Sequence, residues 1–225
     1  MHPAVARGKS LADSQPEKLM PNLPIIIGPS TVLAYHLIWT AYGWWLPNDP
    51  RGSMSRFIAC DVLKELGELH FGRKRIQPAS RVIRGFYEEA KQVLKFPLLT
   101  FTSEEIVAIA NAFGSAIRQH GYTCYACAIM PDHVHIPIRK QRHAAEQMIA
   151  NLQDASRVPV LDVGVHPNGH PVWGGPGWKV FLHSPEDIRR TIKYVDDNPI
   201  KARMPRQVWD FVVLYDGWSF GHRGK

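Results

Sequence analysis

Met130-Pro131-Asp132-His133-Val134-His135-Ile136-Pro137-Ile138, with the run Tyr122 to Met130 leading into it, decides how this chain folds. Tyr122 to Met130 has strand composition, Pro131-Asp132 supplies a tight turn, and His133 to Ile138 returns as an antiparallel partner. Pro137 has no N–H to give to a ladder, so the pairing is expected to be bulged or short there. Side chains alternate along a strand with period two, so His133 and His135 leave the same face and can grip one cation from a rigid platform.

Working outward, Thr31 to Thr40 carries Val32, Leu33, Tyr35, Leu37, Ile38 and Trp39 with no helix cap, and is read as the first strand. The loop Gly43-Trp44-Trp45-Leu46-Pro47-Asn48-Asp49-Pro50-Arg51-Gly52 follows, in which prolines, Asn-Asp and glycine enforce turns. It is either a structural turn or a DNA-contacting loop. Residues 55–100 show short helical periods at 57–69 and 80–95. The basic run Arg73-Lys74-Arg75, with Arg81 and Arg84, is a solvated charged face or a patch for backbone phosphates. A helix then opens with Thr102 as cap and Glu105 completing a capping box. It buries Ile106, Ala110, Phe113 and Ile117 and stops at Gly121 in a left-handed conformation. Beyond the hairpin, residues 142–157 read as a helix. A loop through Gly164, Pro167, Gly169 and Gly174-Gly175-Pro176-Gly177 leads to a short strand, Trp178 to Leu182. Strand, helix, hairpin, helix, strand predicts an α+β fold, an antiparallel sheet with helices on one face.

Ser184-Pro185-Glu186-Asp187 starts a last helix, with serine as cap, proline in the first turn and acids at the positive end. It is expected to end near Asn198, because Pro199 disfavours helical geometry in the residue before it. At about 100° per residue, Ile188, Ile192 and Val195 cluster as the core stripe. Tyr194 lies roughly 130° from them, on the polar side with Asp187, Arg190, Thr191 and Asn198. Tyr194 and Asn198, one turn apart, put a phenol and a carboxamide together. Tyr194 is either a tyrosine at the margin of the core or a nucleophile. As a nucleophile it needs a cation near its oxygen, because a phenol with pKa near about 10 is scarcely ionised at neutral pH. Arg190 is the candidate helper, as is a metal.

A lone His-x-His also occurs as a structural or solvent-facing pair. Cys124 and Cys127 offer a rival, a Cys₂His₂ zinc site. Strand alternation argues against it, since positions three apart point to opposite faces. Asp132 could be a ligand, but as a turn residue directly before His133 it is read as making an Asx-type bond to backbone. Two imidazoles and a carboxamide carry no formal charge, so such a site would hold Mg²⁺ or Mn²⁺ weakly until a phosphate oxygen joins.

The 225 residues, 45% of them hydrophobic, suffice for a full core and exclude a disulfide scaffold or a wholly disordered chain. A net charge of +7, from 27 Lys+Arg against 20 Asp+Glu, fits a polyanionic partner. Three cysteines, no secretory features and no long apolar stretch place the chain in the cytoplasm, off the membrane. Residues 1–30, rich in Pro, Lys and small polar residues, are read as a loosely ordered extension.

Four stretches resemble the single-tyrosine HUH transposases, especially the REP-associated tyrosine transposases. They are Tyr35-His36-Leu37-Ile38-Trp39-Thr40, Trp45 to Gly52, Met130 to His135, and Ile192-Lys193-Tyr194-Val195-Asp196-Asp197-Asn198-Pro199-Ile200-Lys201-Ala202. The resemblance implies a ferredoxin-like sheet and one catalytic domain over residues 31–215, with 216–225 as a tail. It further implies His133 and His135 as ligands of a divalent metal, Asn198 as third ligand and Tyr194 as nucleophile. The substrate implied is single-stranded DNA with a hairpin, cleaved through a 5′-phosphotyrosine with release of a 3′-hydroxyl. Arg51, Arg73, Lys74, Arg75 and Arg190 are the candidate DNA contacts. The chain departs from the family at Ile136-Pro137-Ile138, where an uninterrupted apolar strand is usual, and in its long N-terminal extension. One tyrosine per chain allows one covalent end at a time, which leaves monomer and homodimer both open. Two other readings remain: a protein that binds hairpin DNA without cutting it, and a metal phosphodiesterase that uses water, with Tyr194 a spectator.

Overall fold

Alternation along Ala34–Thr40 (β1) sends Tyr35, Leu37 and Trp39 into the main core and turns His36, Ile38 and Thr40 to the other face. The structure is a computed structural model and describes residues 31–219; the expected extension over 1–30 lies outside them, as do 220–225. After β1 come a 3-10 turn at Asp61–Leu66 and the helices Ser80–Val93 (α1) and Ser103–His120 (α2). The strands Ala128–Ile129 (β2) and His133–Arg139 (β3) form the hairpin, followed by Ala145–Val163 (α3), Trp178–Leu182 (β4) and Pro185–Lys201 (α4).

The sheet order is β2-β3-β1-β4, and every neighbouring pair is antiparallel. Each crossover, β1 to β2 and β3 to β4, skips a strand and carries a helix, which is the split βαβ arrangement of a ferredoxin-like sheet. The expected α+β class therefore holds. The crossover helices α2 and α3 share one face of the sheet, over Val134, Ile136 and Ile138. α4 is additional and crosses the opposite face, where Val195 and Ile192 pack on Ala126, Ala128 and Met130.

The hairpin shows what Pro137 does. Tyr125 N–H donates to Pro137 O at 3.0 Å, so the proline's missing donor faces the same neighbour. Ala128 pairs with His135, but Cys124 bridges Ile138, so the segment 124–128 carries one extra residue and bulges. The strand expected over Tyr122 to Met130 is thereby reduced to Ala128–Ile129. Its outer edge is closed by the segment 207–213. The Gln207 amide donates to Ile129 O at 2.7 Å and accepts from Ile129 N–H at 2.8 Å, and Val213 N–H donates to Cys124 O. Trp218, past the expected boundary at 215, lies against the Arg139 guanidinium at 3.7 Å.

Two helices run further than expected, each through a proline. α3 continues through Pro159 to Val163, and α4 continues through Pro199 to Lys201 rather than ending near Asn198. Proline within a helix loses one bond to the residue four before it, and in a last turn little else depends on that bond. α4 then stops where Arg203 takes a left-handed backbone (φ 60°) and Met204 N–H bonds back to Pro199 O at 2.8 Å. The helix starts form as read. Thr102 and Glu105 make a reciprocal capping box, Gly121 stands at φ 65°, and Ser184 Oγ accepts from Asp187 N–H.

Between β1 and α2 the chain builds a small second core from Leu46, Phe86, Tyr87 and Ala90. Its loop, residues 45–73, is closed where Gly52 meets Gly72: a Cβ on Gly52 would fall 1.9 Å from Gly72 O, so only glycine fits. No described helix is long and apolar enough to cross a membrane.

Candidate active site

β1 and β3 pair in a register that sets Ile38 opposite His135 and Thr40 opposite His133, which brings His36 diagonally beside His135. His36 Nε2 lies 3.0 Å from His135 Nδ1, and both rings are buried. α4 then lays Tyr194 over them. Its ring centroid is 5.4 Å from that of His135 and 6.0 Å from that of His36, and the His133 and His135 rings stand 4.8 Å apart at right angles. A cleft of about 900 Å³ takes in His36, His133, His135, Arg190, Tyr194 and Asn198. Its further wall is the loop Gly174–Gly177, pressed against β1 so closely that a Cβ on Gly177 would lie 2.6 Å from Ile38 O.

Of the expected site residues, then, His133, His135, Tyr194, Asn198, Arg190 and Arg73 share one cleft. Tyr194 is 41% exposed, open to a large substrate. Arg190 is paired with Asp187 on its own helix. Arg51 is placed differently from a DNA contact. It turns inward, where Nη2 donates to Asp49 at 2.6 Å and to the Tyr87 hydroxyl at 2.6 Å, and its guanidinium caps the Trp45 ring. Lys74 and Arg75 are exposed outside the cleft lining.

Two residues were missed, and a third does more than was read. His36 was quoted only as part of a motif; alternation from β1 puts it on the cleft face, but its tie to His135 exists only in the folded register. Lys201 also lines the cleft, with its ammonium 5.7 Å from the Tyr194 ring centroid, and it was hidden by ending the helix at Asn198. At i+7 from Tyr194 it shares that face of the helix. Asp132 bonds to a side chain as well as to backbone: its Oδ1 lies 2.6 Å from His133 Nδ1. Burial raises the Asp132 carboxyl, but the bond to His133 and that ring's charge outweigh it and hold it below the ordinary range. An ionised carboxylate only accepts, so His133 Nδ1 carries a proton, and in the neutral ring Nε2 is then the nitrogen with the lone pair.

Burial lowers both buried rings. His36 is brought to about 4, and His135 falls well below its ordinary value through burial first and then the neighbouring His133, His36 and Arg73 charges. Both are neutral at pH 7. An unfolded chain protonates the same ring near 6.5, so the stability from a neutral His36 is complete above that pH and declines as the pH falls toward 4. Urea denaturation should therefore show a loss of about 2 kcal/mol from this ring between pH 7.5 and pH 5, and His36→Gln should flatten the decline. A native protein equally stable at both pH values would contradict a buried neutral pair.

Do these residues fit a divalent ion? His133 offers a lone pair at Nε2, oriented from behind by a carboxylate, as metal-binding histidines usually are. His135 is neutral and anchored through Nδ1. The Asn198 carboxamide has its Nδ2 buried without a hydrogen-bond partner, and a flip of the amide exchanges that nitrogen for an oxygen donor. Among the described residues no three His, Cys, Asp or Glu side chains gather as a ready-made cation site. The set thus fits an ion that takes part of its shell from a ligand. Cys124 and Cys127 belong to the apolar core on the α2 and α3 side, and burial pushes both thiols up, so they are not placed for a zinc site with the histidines.

No family model and no curated protein matches this chain. Among solved structures, it is similar to a REP-associated tyrosine transposase bound to a REP hairpin. The two share 9% identity over 88% of this chain and 96% of that one, with a TM-score of 0.42. It is also similar to a candidate transposase from Deinococcus radiodurans, at 16% identity over 81% of this chain and 98% of the other, with a TM-score of 0.34.

Proposed function

We propose that the chain cleaves and rejoins single-stranded hairpin DNA, with Tyr194 as the nucleophile. The observation that carries this reading is the Tyr194 ring seated against His135 and His36 at the mouth of an open cleft, with Lys201 and Arg190 on its own helix. A phenol in such a place shares its cleft with cationic side chains and has access to a substrate too large for an enclosed pocket.

In the proposed step the Tyr194 oxygen attacks a phosphodiester in line. A phosphorus–oxygen bond forms at tyrosine as the bond to the 3′-oxygen breaks; the phenol proton departs and the 3′-oxygen takes one up. The phosphoester is conserved as a 5′-phosphotyrosine, so a 3′-hydroxyl can reverse the reaction without outside energy. Lys201, Arg190 and Arg73, all in the same cleft, attract the approaching backbone, and Asp132 keeps His133 in one tautomer. Mg²⁺ or Mn²⁺ held by His133, His135 and Asn198 would polarise the scissile phosphate and offset charge on the leaving oxygen. Neutral donors make such an ion's binding depend on the DNA.

Incubation with an end-labelled single-stranded hairpin and Mn²⁺ should give a protein–DNA adduct that survives denaturation. Chelation with EDTA, or His133→Ala, should reduce its rate at least about a hundredfold. Strand cleavage with no adduct would instead make water the nucleophile, and tight binding with neither product would make the chain a hairpin-binding protein.

A further inference from the structure

We propose that Trp45 is the floor of a nucleobase subsite in the cleft, on which one unpaired base of the incoming strand stacks. This rests on the reading that the cleft takes single-stranded DNA.

The loop carries two adjacent tryptophans with different fates. Trp44 is structural: its Nε1–H donates to Leu99 O at 2.7 Å, and its ring packs on Tyr87 in the small core. Trp45 is half-buried and lines the cleft with Ser53, Met54, Ser55 and Arg73. Its backbone is left-handed, at φ 53°. That conformation is an outlier for a bulky residue, and the same loop uses glycine for it at Gly43 and Gly52. At position 45 it carries an indole instead, and the surroundings hold it there. Trp45 N–H donates to the Tyr87 hydroxyl at 2.9 Å, and that hydroxyl is itself bonded to Asp49 and Arg51. Strain upheld by a buried network at the lip of a cleft is a mark of a working surface rather than of a turn.

The chemistry of the surface follows from what backs it. The Arg51 guanidinium sits 3.9 Å from the Trp45 ring centroid and occupies one face of the indole. Arg51 is fixed by Asp49 at 2.6 Å and cannot follow a ligand. Because the ring lines the cleft and Arg51 takes one of its faces, a flat partner would stack on the other, and every nucleobase has such a face. Stacking does not read base edges, so this subsite is tolerant of sequence. It selects instead for a base that is free to leave its neighbours, which a continuous duplex does not offer. Arg73, on the same cleft wall, takes the adjoining phosphate.

The test is fluorescence anisotropy with a labelled hairpin bearing a single-stranded flank, in which each flanking nucleotide in turn is made abasic. Wild-type protein should lose about 5- to 100-fold in affinity at one flanking position. Trp45→Leu should lose a similar factor on the intact strand and nothing further at that position, while Trp45→Phe stays within about threefold of wild type. 5-Iodouracil placed there should photocrosslink to the peptide that contains Trp45, a readout that needs no variant to fold. Wild-type binding unchanged in Trp45→Leu, or a crosslink confined to other peptides, overturns the subsite alone. A wild-type protein that holds hairpin DNA no better than an unrelated polyanion overturns the functional reading, and the subsite with it.

Discussion

Tyr194→Phe should form no covalent adduct with hairpin DNA, and its rate of strand cleavage should fall at least about a thousandfold, the equivalent of about 4 kcal/mol in the barrier. The substitution removes one oxygen and keeps the ring, whose contacts with His135 and His36 are made through carbon faces and edges. The fold and the cleft are therefore undisturbed, and DNA affinity should remain within about threefold of wild type, since the cations that meet the backbone are elsewhere. The measurement is a denaturing gel of labelled DNA beside a binding titration of the same preparation. Cleavage that persists in the phenylalanine variant would assign the nucleophile to water and reduce Tyr194 to a wall of the cleft.

Most of this site was legible before the structure because it is built from short-range periodicities. Strand alternation sufficed to put His133 and His135 on one face, and the helical angle sufficed to turn Tyr194 and Asn198 away from Ile188, Ile192 and Val195. The caps at Thr102 and Ser184 are likewise local chemistry. What escaped was long-range. His36 and His135 stand 99 residues apart and meet only through the β1 and β3 register. Arg51 looked like a cation on a loop; that it is absorbed by Asp49 depends on Tyr87, 36 residues later, closing the loop from behind. Pro199 misled for another reason. The rule applied was that a residue before proline avoids helical geometry; it is a preference, and in the final turn of α4 it stops neither Asn198 from staying helical nor three more residues from joining. Pro137 was read only in part: its missing donor faces the bulged segment 124–128, but β3 itself is neither short nor bulged and runs from His133 to Arg139 in register with β1.

Asp49→Ala should cost about 3–5 kcal/mol of stability. The Asp49 side chain has no solvent exposure and that of Arg51 is 16% exposed, so the pair is desolvated. Asp49 accepts from Arg51 N–H at 2.8 Å, from Arg51 Nε at 2.9 Å, from Arg51 Nη2 at 2.6 Å and from the Tyr87 hydroxyl. Burial, and then the Asp49 charge, push the Tyr87 phenol well above its ordinary value, so it stays protonated and remains a donor. Alanine strands a guanidinium, a phenol and a backbone N–H together, and a charge left without its partner costs more than the pair contributed. Asp49→Asn keeps an acceptor oxygen for part of the set and should cost about 1–2 kcal/mol. Arg84→Ala, an exposed charge on α1, should stay within about 0.5 kcal/mol of wild type. Urea titrations of the three variants separate these values. If Asp49→Ala and Arg84→Ala unfolded at the same midpoint, the loop that walls the cleft would not be held by its buried acid. Because the same network holds the Trp45 backbone, the stability of this small core and the shape of the cleft should fail together.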